Sequence, residues 1–375
     1  MNFSINRIVL LDNLSKAAKV IDYKNVNPSL SGIYLNVLND QVNVIATSGI
    51  LSFKSILNNQ NSDLEVKQEG KVLLKPKYVL EMLRRLDDEF VVFSMVEDNE
   101  LIIKTNNSDF SIGVLNSEDY PLIGFREKGI EFNLNPKEVK KTIYQVFVSM
   151  NENNKKLILT GLNLKLNNNQ AIFSTTDSFR ISQKILEIQS DNNEDIDITI
   201  PFKTALELPK LLDNAENLKI IIVEGYITFI IDNVIFQSNL IDGKFPNVQI
   251  AFPTKFETII TVKQKSILKV LSRFDLVADD GLPAIVNIKV NEDKIEFKSF
   301  ISEVGKYEED FDDFVIEGNK SLSISFNTRF LIDAVKTLSE DRIELKLINS
   351  TKPIVINNVY DEHLKQVILP TFLSN

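Results

Sequence analysis

The chain has 375 residues, 43% of them hydrophobic and 25% charged, with a formal net charge of -10, no cysteine, no tryptophan and a single histidine, His363. This composition builds ordinary globular cores in two or three domains. It excludes a disulfide framework, a thiolate metal site, a cysteine nucleophile and a histidine-rich metal site.

At the N-terminus, Arg7, Asp12, Lys16 and Lys19 interrupt the apolar run that a signal peptide requires. No stretch approaches the roughly 18 apolar residues of a membrane span, so no membrane association is expected and the expected compartment is the cytoplasm. The first predicted helix covers residues 7–22. An alternating stretch, Leu30-Ser31-Gly32-Ile33-Tyr34-Leu35-Asn36-Val37, then passes through a polar turn at Asn39-Asp40 into another. A strand running into a helix follows at residues 72–86, and further alternating strands lead to Ser117–Ile123. The same order then begins again. A helix over residues 136–149 starts at Asn135 as N-cap, with Pro136 at its first position and Glu138 completing a capping box. Leu159-Thr160-Gly161-Leu162-Asn163-Leu164-Lys165-Leu166 repeats the first alternating stretch. A strand into a helix recurs at residues 198–212, where Pro209 is expected to kink or shorten the helix. Asp242–Val248 closes this second copy. The third opens with a helix over residues 263–275, whose Ile267, Val270, Leu271 and Phe274 form an apolar stripe. A weaker alternating copy begins at Leu282, and a last strand into a helix covers residues 321–338. Repeats this long are domains rather than solenoid turns. The expected fold is α+β, with three domains at 1–126, 127–251 and 252–375, each two helices backed by antiparallel sheets.

Charge follows the same division. The six helical windows (6–22, 75–86, 135–149, 201–213, 263–275, 327–339) hold 18 Lys+Arg against 8 Asp+Glu, a net +10 that leaves -20 for the rest of the chain. Lys265, Lys269 and Arg273 fall at i, i+4 and i+8 on one ridge opposite the apolar stripe. Basic residues on any one helix are commonly a solvated face. Segregation over six helices instead suggests one surface for a polyanion and another that repels it. With no aromatic platform and no base-reading motif, backbone contact without sequence specificity is the better nucleic-acid reading.

Three such domains resemble the bacterial DNA polymerase III sliding clamp, the beta subunit of the replicase. Leu159-Thr160-Gly161 is similar to that family's L-N-G, and Thr176-Asp177-Ser178-Phe179-Arg180-Ile181 to its T-D-G-H-R-L. Asp242-Gly243-Lys244-Phe245-Pro246 matches its D-G-x-F-P, Phe326-Asn327 opens the last helix as in the family, and Val367–Leu373 resembles its V-V-M-P-M-R-L. The chain departs at Ser178 and Phe179, where the family has glycine and histidine, and in two residues beyond Leu373. Abundant Lys, Asn, Ile and Phe without Trp suggest an AT-rich genome.

The resemblance implies a processivity factor and not an enzyme: a head-to-tail homodimer of six domains around duplex DNA, held topologically, with no cofactor and no metal. It carries a partner-peptide pocket for polymerase, clamp loader and other clamp-binding proteins onto Leu159, Thr176, Ser178, Phe179, Arg180, Ile181, Pro246, Ile250, Asn327, Phe330, Val367, Ile368, Leu369, Pro370, Thr371 and Leu373. Read without it, Val367 and Leu369 are better taken as a last strand alternating inward. DNA-facing residues are expected at Lys24, Lys77, Arg84, Lys137, Lys141, Lys203, Lys265, Lys269 and Arg273, with the loop at residues 151–156 as the second-domain counterpart of that bearing Lys24. The dimer contact is expected between Phe110 and Ile112 of one copy and Leu276 and Val277 of the next, with ordinary core as the alternative for the first pair.

The acidic run Glu308–Asp313 lacks the spacing of a calcium loop and reads as a solvated face; the resemblance implies that it faces basic residues of the neighbouring subunit, with Lys77 and Arg84 as its partners. His363, after Asp361-Glu362, reads as a surface hydrogen-bonding residue. No P-loop, G-x-G-x-x-G, H-E-x-x-H or G-x-S-x-G motif occurs. A carboxylate-pair hydrolase remains open on composition, and two acids in one cleft would distinguish it.

Overall fold

The computed structural model describes every residue except 98, 168, 189–194, 276–283, 302–304 and 372–375. Leu276, Val277 and Leu373 therefore lie outside the described residues. Two compact units are formed, one by residues 1–139 with 207–240 and the other by residues 140–206 with 241–375.

Among the described residues, six long helices occur where periodicity placed them: α1 (Arg7–Val20), α3 (Pro76–Arg85), α4 (Pro136–Phe147), α5 (Phe202–Leu211), α6 (Gln264–Phe274) and α7 (Thr328–Thr337), with a single-turn helix α2 (Asn59–Ser62) between the first two. Local chemistry sets their starts. Asn6 accepts from the amides of Ile8 and Val9, Asn135 from those of Lys137 and Glu138, and Asn327 from that of Arg329. Pro209 lies inside α5, which ends two residues later at Leu211. The helix is not shortened relative to α3 and α7, which are also 10 residues long. Pro209 removes the amide that would reach Ala205, but the amide of Leu212 still reaches Leu208 O at 3.2 Å.

The first unit is organised on an eight-stranded antiparallel sheet in the order Ile130–Asn133, Leu218–Val223, Tyr226–Ile231, Val234–Asn239, Leu51–Asn58, Gln41–Thr47, Ile33–Val37, Gly70–Leu74. Its centre is a seam between repeats, where Ser52 lies opposite Gln237 and Leu51 opposite Ser238. α1 buries Leu10, Leu14, Ala17 and Val20, and its interior Asn13 is satisfied by Val9 O (2.9 Å) and Ser55 Oγ (2.6 Å). A five-stranded sheet completes the unit and ends at an edge strand, Asp109–Gly113.

The second unit repeats the plan. Its nine-stranded sheet runs Ile196–Ile200, Leu162–Asn167, Gln170–Thr176, Arg180–Glu187, Leu364–Ile368, Ile354–Asn358, Arg342–Leu347, Thr258–Lys263, Phe314–Gly318. Its seam places Ile181 opposite Val367 and Arg180 opposite Ile368. On one face lies the core that receives Ile267, Val270, Leu271 and Phe274 of α6 together with Ile343, Leu345, Ile356 and Ile368. Full burial of each large apolar side chain contributes about 1.5–3 kcal/mol. A polar chain locks the last strand in register. Gln366 Nε2 donates to Gln145 O (3.0 Å) and Thr337 Oγ1 (2.9 Å), while its Oε1 accepts from Ser182 Oγ. A four-stranded sheet completes this unit, with Gly305–Phe311 at one edge.

Candidate functional site

On the sheet face away from α6 and α7, the seam between Arg180–Glu187 and Leu364–Ile368 carries a small apolar cluster. Leu159, Phe245 and Val248 are buried there, with Ile158, Ile181 and Phe252 partly exposed around them. Val367, opposite Ile181, belongs to this face by register but is only 2% exposed. Ile368 points the other way, into the α6–α7 core at 1% exposure. Its expected place in the pocket is corrected by strand alternation: neighbours in a strand face opposite sides. Around the cluster stand exposed apolar groups at Ile250 (87%), Phe179 (62%) and Leu369 (42%), with Pro246 exposed beside Phe245.

One side of this groove is built by the turn Thr176–Arg180. Thr176 Oγ1 donates to Arg180 O (2.7 Å) and accepts from the amide of Ser178 (3.2 Å). Asp177 accepts from the amides of Phe179 and Arg180 at 2.9 and 3.0 Å. The turn requires φ = +83° at Ser178, a left-handed conformation that favours glycine, which is the residue the family motif has there. Arg180, the register partner of Ile368, turns to the α7 face of the sheet, behind the apolar cluster, and is fixed there on three sides: Nε to Asp177 at 3.0 Å, Nη1 to Asp333 at 2.8 Å, and its guanidinium 4.1 Å from the ring centre of Phe330. Phe330 and Asp333 are three apart on α7 and so share a face. The far end is tied by the amide of Leu369 to Phe179 O (2.9 Å) and that of Thr371 to Ser325 O (2.8 Å).

The structure thus gathers Leu159, Thr176, Ser178, Phe179, Arg180, Ile181, Phe330, Val367, Leu369 and Thr371 around one seam. Asn327 is engaged as the cap of α7. Asp177, Asp333, Phe245, Val248, Ile158 and Phe252 had not been assigned roles. Asp177 and Phe245 stood inside motifs already singled out, and the i, i+3 spacing of Phe330 and Asp333 was readable.

Among the basic residues, Lys24, Lys77, Lys137, Lys141, Lys265 and Lys269 are exposed, and Lys203 is half-buried. Arg84 is exposed but paired with Glu81 at 3.0 Å. Arg273 is turned aside from the expected ridge: Nε donates to Glu309 at 2.7 Å, and Nη2 to the same carboxylate. That pairing holds the Glu309 carboxyl below the ordinary range. Arg7 of α1 is also structural, donating to Asp88 O (2.7 Å) and Leu83 O (2.8 Å) at the end of α3.

The loop bearing Lys24 and its second-repeat counterpart share one hydrogen-bond ladder. Asp22 accepts from the Lys24 amide (2.9 Å) and Asn25 from that of Asn27 (3.0 Å). Asn151 accepts from the Asn153 amide (3.0 Å) and Asn154 from that of Lys156 (3.0 Å).

The acidic run does not converge on a point, because Glu308 and Glu309 face opposite sides of their strand. Glu308 pairs with Lys306 (2.6 Å) and Lys298 (3.2 Å), Asp310 with Lys294 (2.8 Å), all within the same repeat. His363 uses its backbone, its amide donating to Asp361 (2.9 Å) and its carbonyl accepting from Ile185 (3.0 Å). Phe110 and Ile112 are half-buried and lie opposite the buried Ile103 and Leu101, on the core side of an edge strand.

Three helix-and-sheet repeats, fused through sheets that cross from one repeat to the next, define a clamp-type architecture. Family models for the N-terminal, central and C-terminal domains of the DNA polymerase III beta subunit match residues 1–124, 133–247 and 249–372, and the chain belongs to that family. Its function is that of a non-catalytic processivity clamp for DNA polymerase. It is 26% identical to the beta sliding clamp of Staphylococcus aureus, with 99% of each chain covered. The crystal structure of the Bacillus subtilis DNA polymerase sliding clamp superposes with a TM-score of 0.94 at 26% identity and complete coverage of both chains. The beta chain from Streptococcus pneumoniae superposes with a TM-score of 0.93 at 26% identity, covering 99% of this chain and 100% of that one.

Proposed function

We propose that two copies, each with domains at 1–126, 127–251 and 252–375, close head to tail into a cytoplasmic ring around duplex DNA. The carrying observation is the pair of incomplete sheets. Inside the chain, the strands Leu51–Asn58 and Arg180–Glu187 are each covered by the last strand of the following repeat. Their third-repeat equivalent, Gly305–Phe311, has an open edge among the described residues, as has Asp109–Gly113, the last strand of the first repeat. Two copies supply each other's missing neighbour, burying Phe110 and Ile112 against the segment containing Leu276 and Val277. The ring closes because the relation is heterologous and returns on itself. In that ring Lys24, Lys77, Lys137, Lys141, Lys203, Lys265 and Lys269 face DNA without reading its sequence.

The seam groove then receives short apolar peptides of the replicative polymerase, the clamp loader and other clamp-binding proteins. Phe179, Ile250, Pro246 and Leu369 offer apolar surface around the Leu159–Phe245 floor, while Arg180 anchors from the α7 face the turn that carries Phe179. The test is removal of residues 369–375, which takes away Leu369 and Thr371 and their two hydrogen bonds. The truncated chain is expected to remain a folded dimer and to lose stimulation of its polymerase. Unfolding of the third repeat would instead make the tail part of the core and withdraw this reading.

A further inference from the structure

The frame of the groove occurs twice in the chain. At the seam of the first unit, Thr47 Oγ1 donates to Leu51 O at 2.8 Å, as Thr176 does to Arg180. Gly49 has φ = +90° where Ser178 has +83°, and Ile50 is 56% exposed at the place of Phe179. The amide of Asn239 donates to Ile50 O at 3.0 Å, as that of Leu369 does to Phe179 O. Tyr120-Pro121 stands for Phe245-Pro246. The floor, however, has changed character. The register pair Ile181–Val367 becomes Ser52–Gln237.

Both polar replacements are buried and already engaged. Gln237 Oε1 accepts from the amide of Arg126 (2.6 Å) and from Thr228 Oγ1 (3.2 Å), and its Nε2 donates to Gly124 O (3.2 Å). Ser52 Oγ is 2.9 Å from Thr47 Oγ1. Gln237 thereby pins the linker at Gly124 and Arg126. An apolar side chain seated there would have to break these bonds and leave buried polar groups without partners.

We infer that Gln237, with Ser52, makes the first seam a closed copy of the docking groove, so that each chain offers one peptide site rather than two. Gln237 is the specificity-determining residue that decides which seam accepts an apolar peptide. This inference rests on the docking role proposed for the second seam. It is tested on the full-length dimer with a synthetic peptide carrying the docking segment of the cognate polymerase, by calorimetric stoichiometry and by methyl NMR of Ile50 and Ile181. The unaltered chain should take one peptide and shift Ile181 alone. Ser52→Ile with Gln237→Val should take two peptides per chain and also shift Ile50. If that pair fails to fold, Gln237→Met, close in volume, should show the Ile50 shift at high peptide concentration. Two peptides on the unaltered chain, or one on a folded, dimeric double variant, overturns the inference. Absence of any shift at Ile181 removes the docking premise, and the inference with it.

Discussion

Ser178 and Gly49 occupy the same turn in two copies, one with a side chain at positive φ and one without. This gives a prediction with its own control. A left-handed conformation costs a non-glycine residue about 1–2 kcal/mol, while glycine forfeits about 0.5–1 kcal/mol in backbone entropy. Ser178→Gly should therefore stabilise its turn by about 0.5–1 kcal/mol, and Gly49→Ser should destabilise its own by a similar amount. No steric contribution enters the second case, because a Cβ at Gly49 meets nothing within 4 Å. The backbone bonds that define the turn, Ser178 N to Thr176 Oγ1 and Gly49 N to Thr47 Oγ1 (3.2 and 3.0 Å), survive both changes. A multi-repeat chain does not unfold in two states, so the effect is best read locally. The amides of Leu369 and Asn239 report on the two turns through their bonds to Phe179 and Ile50. Hydrogen exchange should slow roughly 2- to 5-fold at Leu369 in Ser178→Gly and quicken by as much at Asn239 in Gly49→Ser. Shifts of the same sign in both variants would refute the strain account.

Phe110→Asp places a carboxylate on the half-buried side of the Asp109–Gly113 edge. Light scattering should fall from about twice 42.7 kDa to that of one chain, with circular dichroism unchanged; a persisting dimer would move the joint elsewhere. Lys265→Glu with Lys269→Glu should impair loading and processive synthesis at constant dimer mass, whereas Arg273→Glu should also lower stability by stranding Glu309 beside a second carboxylate. Because Arg273 depresses the pKa of Glu309, the pair's contribution is fully present above the ordinary carboxylate range and is lost as pH falls through the depressed value. Glu309→Gln should therefore shrink the drop in melting temperature between pH 7 and pH 3, and an unchanged drop would contradict that coupling.

Helix positions were legible because each apolar stripe is local: Ile267, Val270, Leu271 and Phe274 are all buried, as their spacing required. The repeat was legible for the same reason. The sheets were not, since pairing of Ile181 with Val367 joins residues far apart in sequence, and no local pattern records which strand crosses a domain boundary. That non-local pairing also decides that Val367 lines the groove face while Ile368 enters the core. Arg273 illustrates a further limit. Helical spacing put it on a basic ridge, yet Glu309, on a strand of the same repeat, claims its guanidinium. The T-D-S-F-R-I motif pointed to the groove, but the reason for glycine in its family counterpart became visible only as the positive φ of Ser178.

Retention after loading tests most directly whether the chain holds DNA by enclosure. Placed by its loader on nicked circular DNA, the protein should remain bound through moderate salt, because screening weakens phosphate contacts but does not open a closed ring. Cutting the circle should then release it within the time needed to slide off the ends. Equal retention on circular and linearised DNA would show ordinary electrostatic binding and contradict enclosure.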